Sequence, residues 1–412
     1  MRFSPLEKRI AIVGMMARII VYLVMLFLAG GDANAISGDS ADLHYKAYVA
    51  SFDYRDGQTD WGMLIDDAWP LVVGIVYYYV YPSLLVIVLL NGMASGLALV
   101  LLFRIVQMAT SNRLVAVASC YTVALFPSAV FFQCLPIKEA VAMLAIIAMT
   151  WGLLRVRLDR DLGGVKWMAL AVVMVVGLRV YLAPILVYCA ALTLLIRGRR
   201  GVAQAVAQLT LWSVMFVLFL TIALDLGGLE WRQLRAFEYL DVNRLNTVRG
   251  SLSRGDGGLF SQAEQSSQSH EFGVSLSNDV ILLLTGFYYF LVGIDFFNIR
   301  STRQWAAVPE AVIVIGCLPY LFFGVKALWR NHRTAGLPIL ILTFALVTVY
   351  GAGTTNMGAM YRWRLQAMPF VAMTTYLGAA HWRRGPLFAL LKSARSQLPR
   401  RRFALVFQGR AR

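Results

Sequence analysis

Apolar stretches of roughly 18 to 22 residues recur along the chain, separated by short polar or basic runs, and each predicts a helix able to cross a hydrocarbon core of about 30 Å. The first, Ile10 to Gly30, follows Arg2, Lys8 and Arg9. It ends near Ala33-Asn34-Ala35, which looks like a signal-peptidase site, but its length suits a span better than a signal core, so an uncleaved first helix is expected. A polar stretch follows, from Gly31 to about Asp67. It carries Asp32, Asp39, Asp42, Asp53, Asp56, Asp60, Asp66 and Asp67 against Lys46 and Arg55, and it reads as an extracytoplasmic loop.

Further spans are expected at 83–106, 113–131 and 138–155. Arg155, Arg157, Arg160 and Lys166 then mark the cytoplasm, as do Arg197, Arg199 and Arg200. The apolar segment between these two basic runs must therefore cross twice, as two short helices meeting near Arg179. A span at 202–224 leads out to a long polar segment, Asp225 to Asn278, and apolar segments follow at 279–297, 307–327, 335–352 and 359–379. Four spans there would leave a basic C-terminal tail outside. Thr285, Asp295 and Asn298 interrupt 279–297, which is expected as a re-entrant or interfacial segment. The expectation is an all-α, polytopic integral membrane protein of about ten transmembrane helices with both termini cytoplasmic. Its single transmembrane domain covers 1–380, with outer loops at 31–82 and 225–306, and the basic tail is 381–412.

Composition agrees with this class: 59% of the 412 residues are hydrophobic and 15% charged, where soluble domains have about a quarter charged. No soluble catalytic domain is left over. The net charge of +16 does not point to nucleic acid, because the basic residues sit between apolar segments where cytoplasmic loops collect them. The stretch from His381 to Arg412 has nine Lys and Arg and no acid, which suits a tail lying on anionic headgroups. Cys120, Cys134, Cys189 and Cys317 lie in or beside apolar segments without CxxC spacing, so they read as packing residues and not as a metal or disulfide framework.

Ionisable groups near membrane depth are expensive and mark candidate sites, and here most fall on the expected outer face. Asp39 and Asp42 follow the first span, with Tyr45 three residues after Asp42. A carboxylate there could take a proton from an acceptor hydroxyl, or the same residues could cap a juxtamembrane helix. Lys138-Glu139 follows Phe126-Pro127-Ser128 and also fits a helix start, with the acid at the positive end of the dipole and the lysine reaching the interface. Arg179, Arg362 and Arg364 break the positive-inside pattern, and Asn356 precedes the last two. Such arginines call for an anion: a phosphate gripped by the guanidinium fork, or the acids of the first loop. There is no P-loop, GxGxxG or HExxH, and no DxD pair of the type used for nucleotide-sugar binding, so nothing indicates nucleotide-driven chemistry at the cytoplasm.

In order and type these features resemble the C-type (GT-C) glycosyltransferases, particularly bacterial members found with surface-polysaccharide enzymes. The resemblance rests on Gly38-Asp39 with Tyr45, Trp69-Pro70 with Leu90-Asn91, Phe126-Pro127-Ser128 with Lys138-Glu139, and Asn356-x-Gly358 with Arg362-x-Arg364 and Pro369. It implies an inner-membrane glycosyltransferase that moves a sugar from a polyprenyl-phosphate-linked donor to a glycan or lipid acceptor on the extracytoplasmic face. Asp39 or Asp42 would then be the base. Lys138, Glu139, Arg179, Arg362, Arg364, Tyr45 and Asn356 would bind the donor phosphate or substrate. Many such proteins have adjacent acids in the first loop, whereas Ser40 follows Asp39 here; neither the base nor a role for a divalent metal is thereby assigned, and no metal-ligand motif is found. A repeat-unit polymerase fits the same features. A lipid-linked-sugar flippase would need the basic sites without the base, and a structural export subunit would need neither.

Overall fold

The computed structural model describes residues 3–31, 38–59, 68–179, 182–196, 286–288, 290–293, 302–353 and 357–382, with single positions at 211, 387, 389 and 393. The expected span at 202–224, the outer segment 225–278 and most of the tail lie outside the described residues. Among the described residues the structure is helical, with no strand: α1 (Pro5–Leu28), α2 (Gly38–Arg55), α3 (Ala68–Tyr79), α4 (Leu84–Thr110), α5 (Arg113–Leu125), α6 (Pro127–Cys134), α7 (Glu139–Leu154), α8 (Gly163–Leu178), α9 (Leu182–Leu195), α10 (Thr302–Asn331), α11 (Arg333–Gly353) and α12 (Met357–Trp382).

Five of these helical stretches are long and apolar enough to cross a membrane: α1, α4, α7 with its π-turn extension to Asp159, α10 from Ala307, and α11 to Gly351. A sixth arises if the bent pair α5–α6 is counted as one span. The short helices α8 and α9 flank Arg179, as the charge pattern predicts, and α3 is a further short apolar helix.

Local sequence explains where the helices stop. Ser4 and Glu7 form a capping box at the start of α1, with Pro5 in the first turn. The α4–α5 hairpin turns on Ser111, in the left-handed region at φ 52°, and on Asn112, whose Oδ1 accepts from the backbone N–H of Leu114 and Val115. The straight span expected at 113–131 is broken. Pro127 cannot donate to the helix ladder and forces Phe126 out of helical geometry (ψ 126°), so the chain bends by 54° between α5 and α6.

The helix α12 was expected as a membrane span over 359–379, yet it is not among the six apolar candidates. It is the central post of the bundle, packed against α4, α5, α6, α7, α10 and α11. Every side chain from Arg364 to Phe370 is buried, the signature of a helix enclosed on all sides. Its approach to α10 is backbone to backbone. A Cβ placed on Gly324 would strike the Thr374 carbonyl, and one on Gly378 would strike the Tyr320 carbonyl, so only glycine permits this crossing. The 279–297 segment is described at 286–288 and 290–293. Phe290 and Val292 are fully buried there, and Phe290 stacks on Tyr350 of α11 with centroids 6.1 Å apart.

Gly378→Leu is expected to lower the detergent-solubilised protein's stability by about 3 kcal/mol or more through overpacking. Gly316→Leu, with nothing within 4 Å of the added Cβ, should unfold with the parent. Equal thermal unfolding midpoints for the two variants would refute the close crossing.

Candidate functional site: two buried ion pairs around the first turns of α12

Arg179 is the C-cap residue of α8, where the chain leaves helical geometry. Its Nη2 donates to both carboxylate oxygens of Glu139, at 2.5 and 2.7 Å, and both side chains are buried. Glu139 opens α7 behind Lys138, its N-cap residue. Asn91 of α4 holds the turn leading to this pair, its Nδ2 donating to the carbonyls of Leu135 and Ile137, each at 2.8 Å. From α12, Gln366 Nε2 donates to Glu139 Oε2 at 3.4 Å. The Tyr350 hydroxyl donates to Gln366 Oε1, and the Arg179 guanidinium lies 5.7 Å from the Trp363 ring centroid.

The second pair joins Arg364 of α12 to Glu310 of α10, both buried. Glu310 also accepts from the backbone N–H of Ser128 at 3.0 Å and from its Oγ at 2.9 Å. Phe126 provides no side-chain cap for α6, so Glu310 caps that helix from another part of the chain, at the end where the dipole favours an anion. Arg364 donates further to the Leu291 carbonyl at 3.1 Å and to Ser128 Oγ at 3.3 Å. Gly293, at φ +86°, closes this side: a Cβ there would lie 2.7 Å from Tyr361 Oη and 2.8 Å from Arg364 Nη1. Tyr361, 7% exposed, stacks against the Arg364 guanidinium at 4.4 Å. Among the described residues its hydroxyl has no hydrogen-bond partner.

Lys138, Glu139, Arg179, Arg362 and Arg364 are thus gathered around the start of α12 by segments more than two hundred residues apart in sequence; Arg362 and Lys138 are half-buried. Arg179 and Arg364 pair with Glu139 and Glu310, and not with described acids of the first loop. Asp42 lies on the exposed face of α2, ion-paired to Lys46 one turn on at 2.6 Å, and Tyr45 is 67% exposed. The Asp39 side chain and Asn356 lie outside the described residues. Helix α2 packs on α3. One apolar cluster joins Ala47 of α2 and Trp69 of α3 to Cys134, Ala142 and Leu178, the last of these adjacent to Arg179. Among the described residues, no group of three His, Cys, Asp or Glu is gathered as a metal site.

Sequence reading did not single out Glu310, Gln366, Tyr350 or Arg18. Arg18 sits within the first apolar run and is fully buried. It donates to the carbonyls of Gly14, Val123 and Ala124 and to Gln133 Oε1, covering the C-terminal end of α5 at the break. The available signal was the same for Arg18 and Glu310: a charge inside an apolar run.

No family model, curated protein or solved structure matches the chain.

Removing one member of a buried pair leaves an uncompensated charge, costing about 3 to 5 kcal/mol. Glu139→Gln and Arg179→Gln should each be strongly destabilising, and the double variant should lose less than the sum. A strictly additive double-mutant cycle would show that the pair is not coupled. On α2, burial holds His44 below its usual pKa, beside Tyr77 Oη at 2.8 Å. A lowered histidine pKa contributes stability that is present above the unfolded value of about 6.5 and lost as pH falls through the folded one. The protection of the α2 amides, relative to their intrinsic exchange rates, should therefore fall below about pH 6, and His44→Phe should flatten that dependence.

Proposed function

We propose that this protein is an integral-membrane glycosyltransferase that takes a sugar from a polyprenyl-phosphate-linked donor at the extracytoplasmic face of a bacterial inner membrane. The supporting observation is convergence. Three of the four motif segments that carry the resemblance, scattered from α3 to α12, pack at one end of the bundle: Asn91 holds the turn before Glu139, Ser128 meets Arg364, and Trp69 joins the cluster beside Arg179. In this reading about ten spans place the first loop and the start of α12 on the same outer side.

The proposed reaction is direct displacement at the anomeric carbon. The acceptor oxygen bonds to that carbon as the carbon–oxygen bond to the lipid phosphate breaks, and Asp39 or Asp42 takes the acceptor proton. Since Arg179 and Arg364 are already held by carboxylates, they act as positioning residues. Lys138 and Arg362, half-buried beside this network, are assigned to the leaving phosphate as the resemblance implies. Positioning and electrostatic stabilisation suffice because the donor is already activated.

The test is mass spectrometry of the surface glycan and the polyprenyl-linked intermediates of a strain lacking the gene, complemented with the parent or with variants. The proposal expects loss of one sugar from an otherwise polymerised glycan. Restoration should fall about 100-fold or more with the Asn variant of the base, and should also fail with Arg362→Gln. An unchanged glycan would overturn the reading, and accumulation of complete single repeat units would make the protein a polymerase.

A further inference from the structure

A second basic centre lies away from the ion-pair network, where α7 runs out into its π turn, α10 ends and α11 begins. A cavity of about 630 Å³ opens there, lined by Arg157, Trp329, Arg330, Asn331, Arg333, Thr334 and Leu337. Among the described residues three arginines line it and no carboxylate does. Two of them have their guanidinium groups held in place. Arg157 donates to the carbonyls of Thr193 and Ile196 at the end of α9, and the Arg333 guanidinium lies 5.2 Å from the centroid of Trp329. Arg330 is exposed. The cavity also brings Arg157, from a basic run that the charge pattern assigns to the cytoplasm, together with Arg330 and Arg333.

We infer that this cavity is a binding site for a phosphate group, and specifically for the headgroup of an anionic phospholipid in the leaflet at this end of the bundle. The physical reasons are specific. Guanidinium forks bind phosphate oxygens bidentately, and basic pockets between membrane helices accommodate anionic headgroups. The volume falls within the range of about 300 to 1,000 Å³ typical of small-ligand sites. Asn331 and Thr334 supply neutral donors for glycerol or ester oxygens. Trp329 offers an aromatic face at the interface depth, and Leu337, buried beneath, offers apolar surface to the first acyl carbons. The site is independent of the proposed transfer chemistry, so it stands or falls separately.

The experiment uses the full-length protein in detergent, titrated with phosphatidylglycerol, phosphatidylcholine or inorganic phosphate, with thermal unfolding and native mass spectrometry as readouts. Phosphatidylglycerol should raise the unfolding temperature and remain bound in the gas phase where phosphatidylcholine does not. Arg330→Gln/Arg333→Gln should weaken its retention about tenfold or more; should that double variant not fold, Arg330→Gln alone should weaken retention in the same direction. Arg401→Gln/Arg402→Gln removes the same charge from the tail and should leave retention unchanged. If inorganic phosphate stabilises the parent as well as the lipid does, and loses this with the cavity variant, the site holds and its ligand is a free phosphate. Equal retention by parent and cavity variant, or equal loss with the tail variant, would overturn the site.

Discussion

A guanidinium inside an apolar bundle cannot remain without oxygen ligands, because desolvating it costs several kcal/mol that only well-aligned acceptors repay. Among the described residues three are buried, Arg18, Arg179 and Arg364, and each finds oxygen partners at a helix end. Arg18 covers the last carbonyls of α5. Arg179 ends α8 and meets the first residue of α7. Arg364 shares Glu310 with the first turn of α6. Broken helices expose backbone groups that must be paired, and charged side chains need partners in the same dry volume; each requirement here meets the other.

That arrangement explains why α12 stands at the centre even though it is too polar to qualify as a simple span. Arg364 and Gln366, two residues apart, link both ion pairs to one helix, and its far end is pinned to α10 by the Gly324 and Gly378 crossing. The polar end is thus held by directional bonds and the apolar end by close backbone packing. A site built in this way is rigid on its inner side, with the half-buried Lys138 and Arg362 at its edge.

The interruption at Pro127 has consequences on both of its sides. By stopping α5 it frees the carbonyls that Arg18 needs, and by starting α6 it supplies the Ser128 N–H that Glu310 caps. A continuous helix through 113–131 would offer neither, so the fully buried arginine of α1 and the α10 carboxylate both depend on one proline.

The order of apolar runs was enough to establish a helical, membrane-type protein and the short hairpin around Arg179, because periodicity and apolar length are local properties. The same reading found Lys138, Glu139, Arg179, Arg362 and Arg364 as charges out of place. Their partners were not legible. Glu310 stands 131 residues from Arg179 and 54 from Arg364 in the chain, and nothing local says which arginine it meets; an ion pair forms between groups that packing brings within reach, and packing is a property of the whole bundle. The break at Pro127, the burial of Arg18 and the enclosure of α12 were decided only in the tertiary structure, where each polar group buried by one helix had to be answered by another.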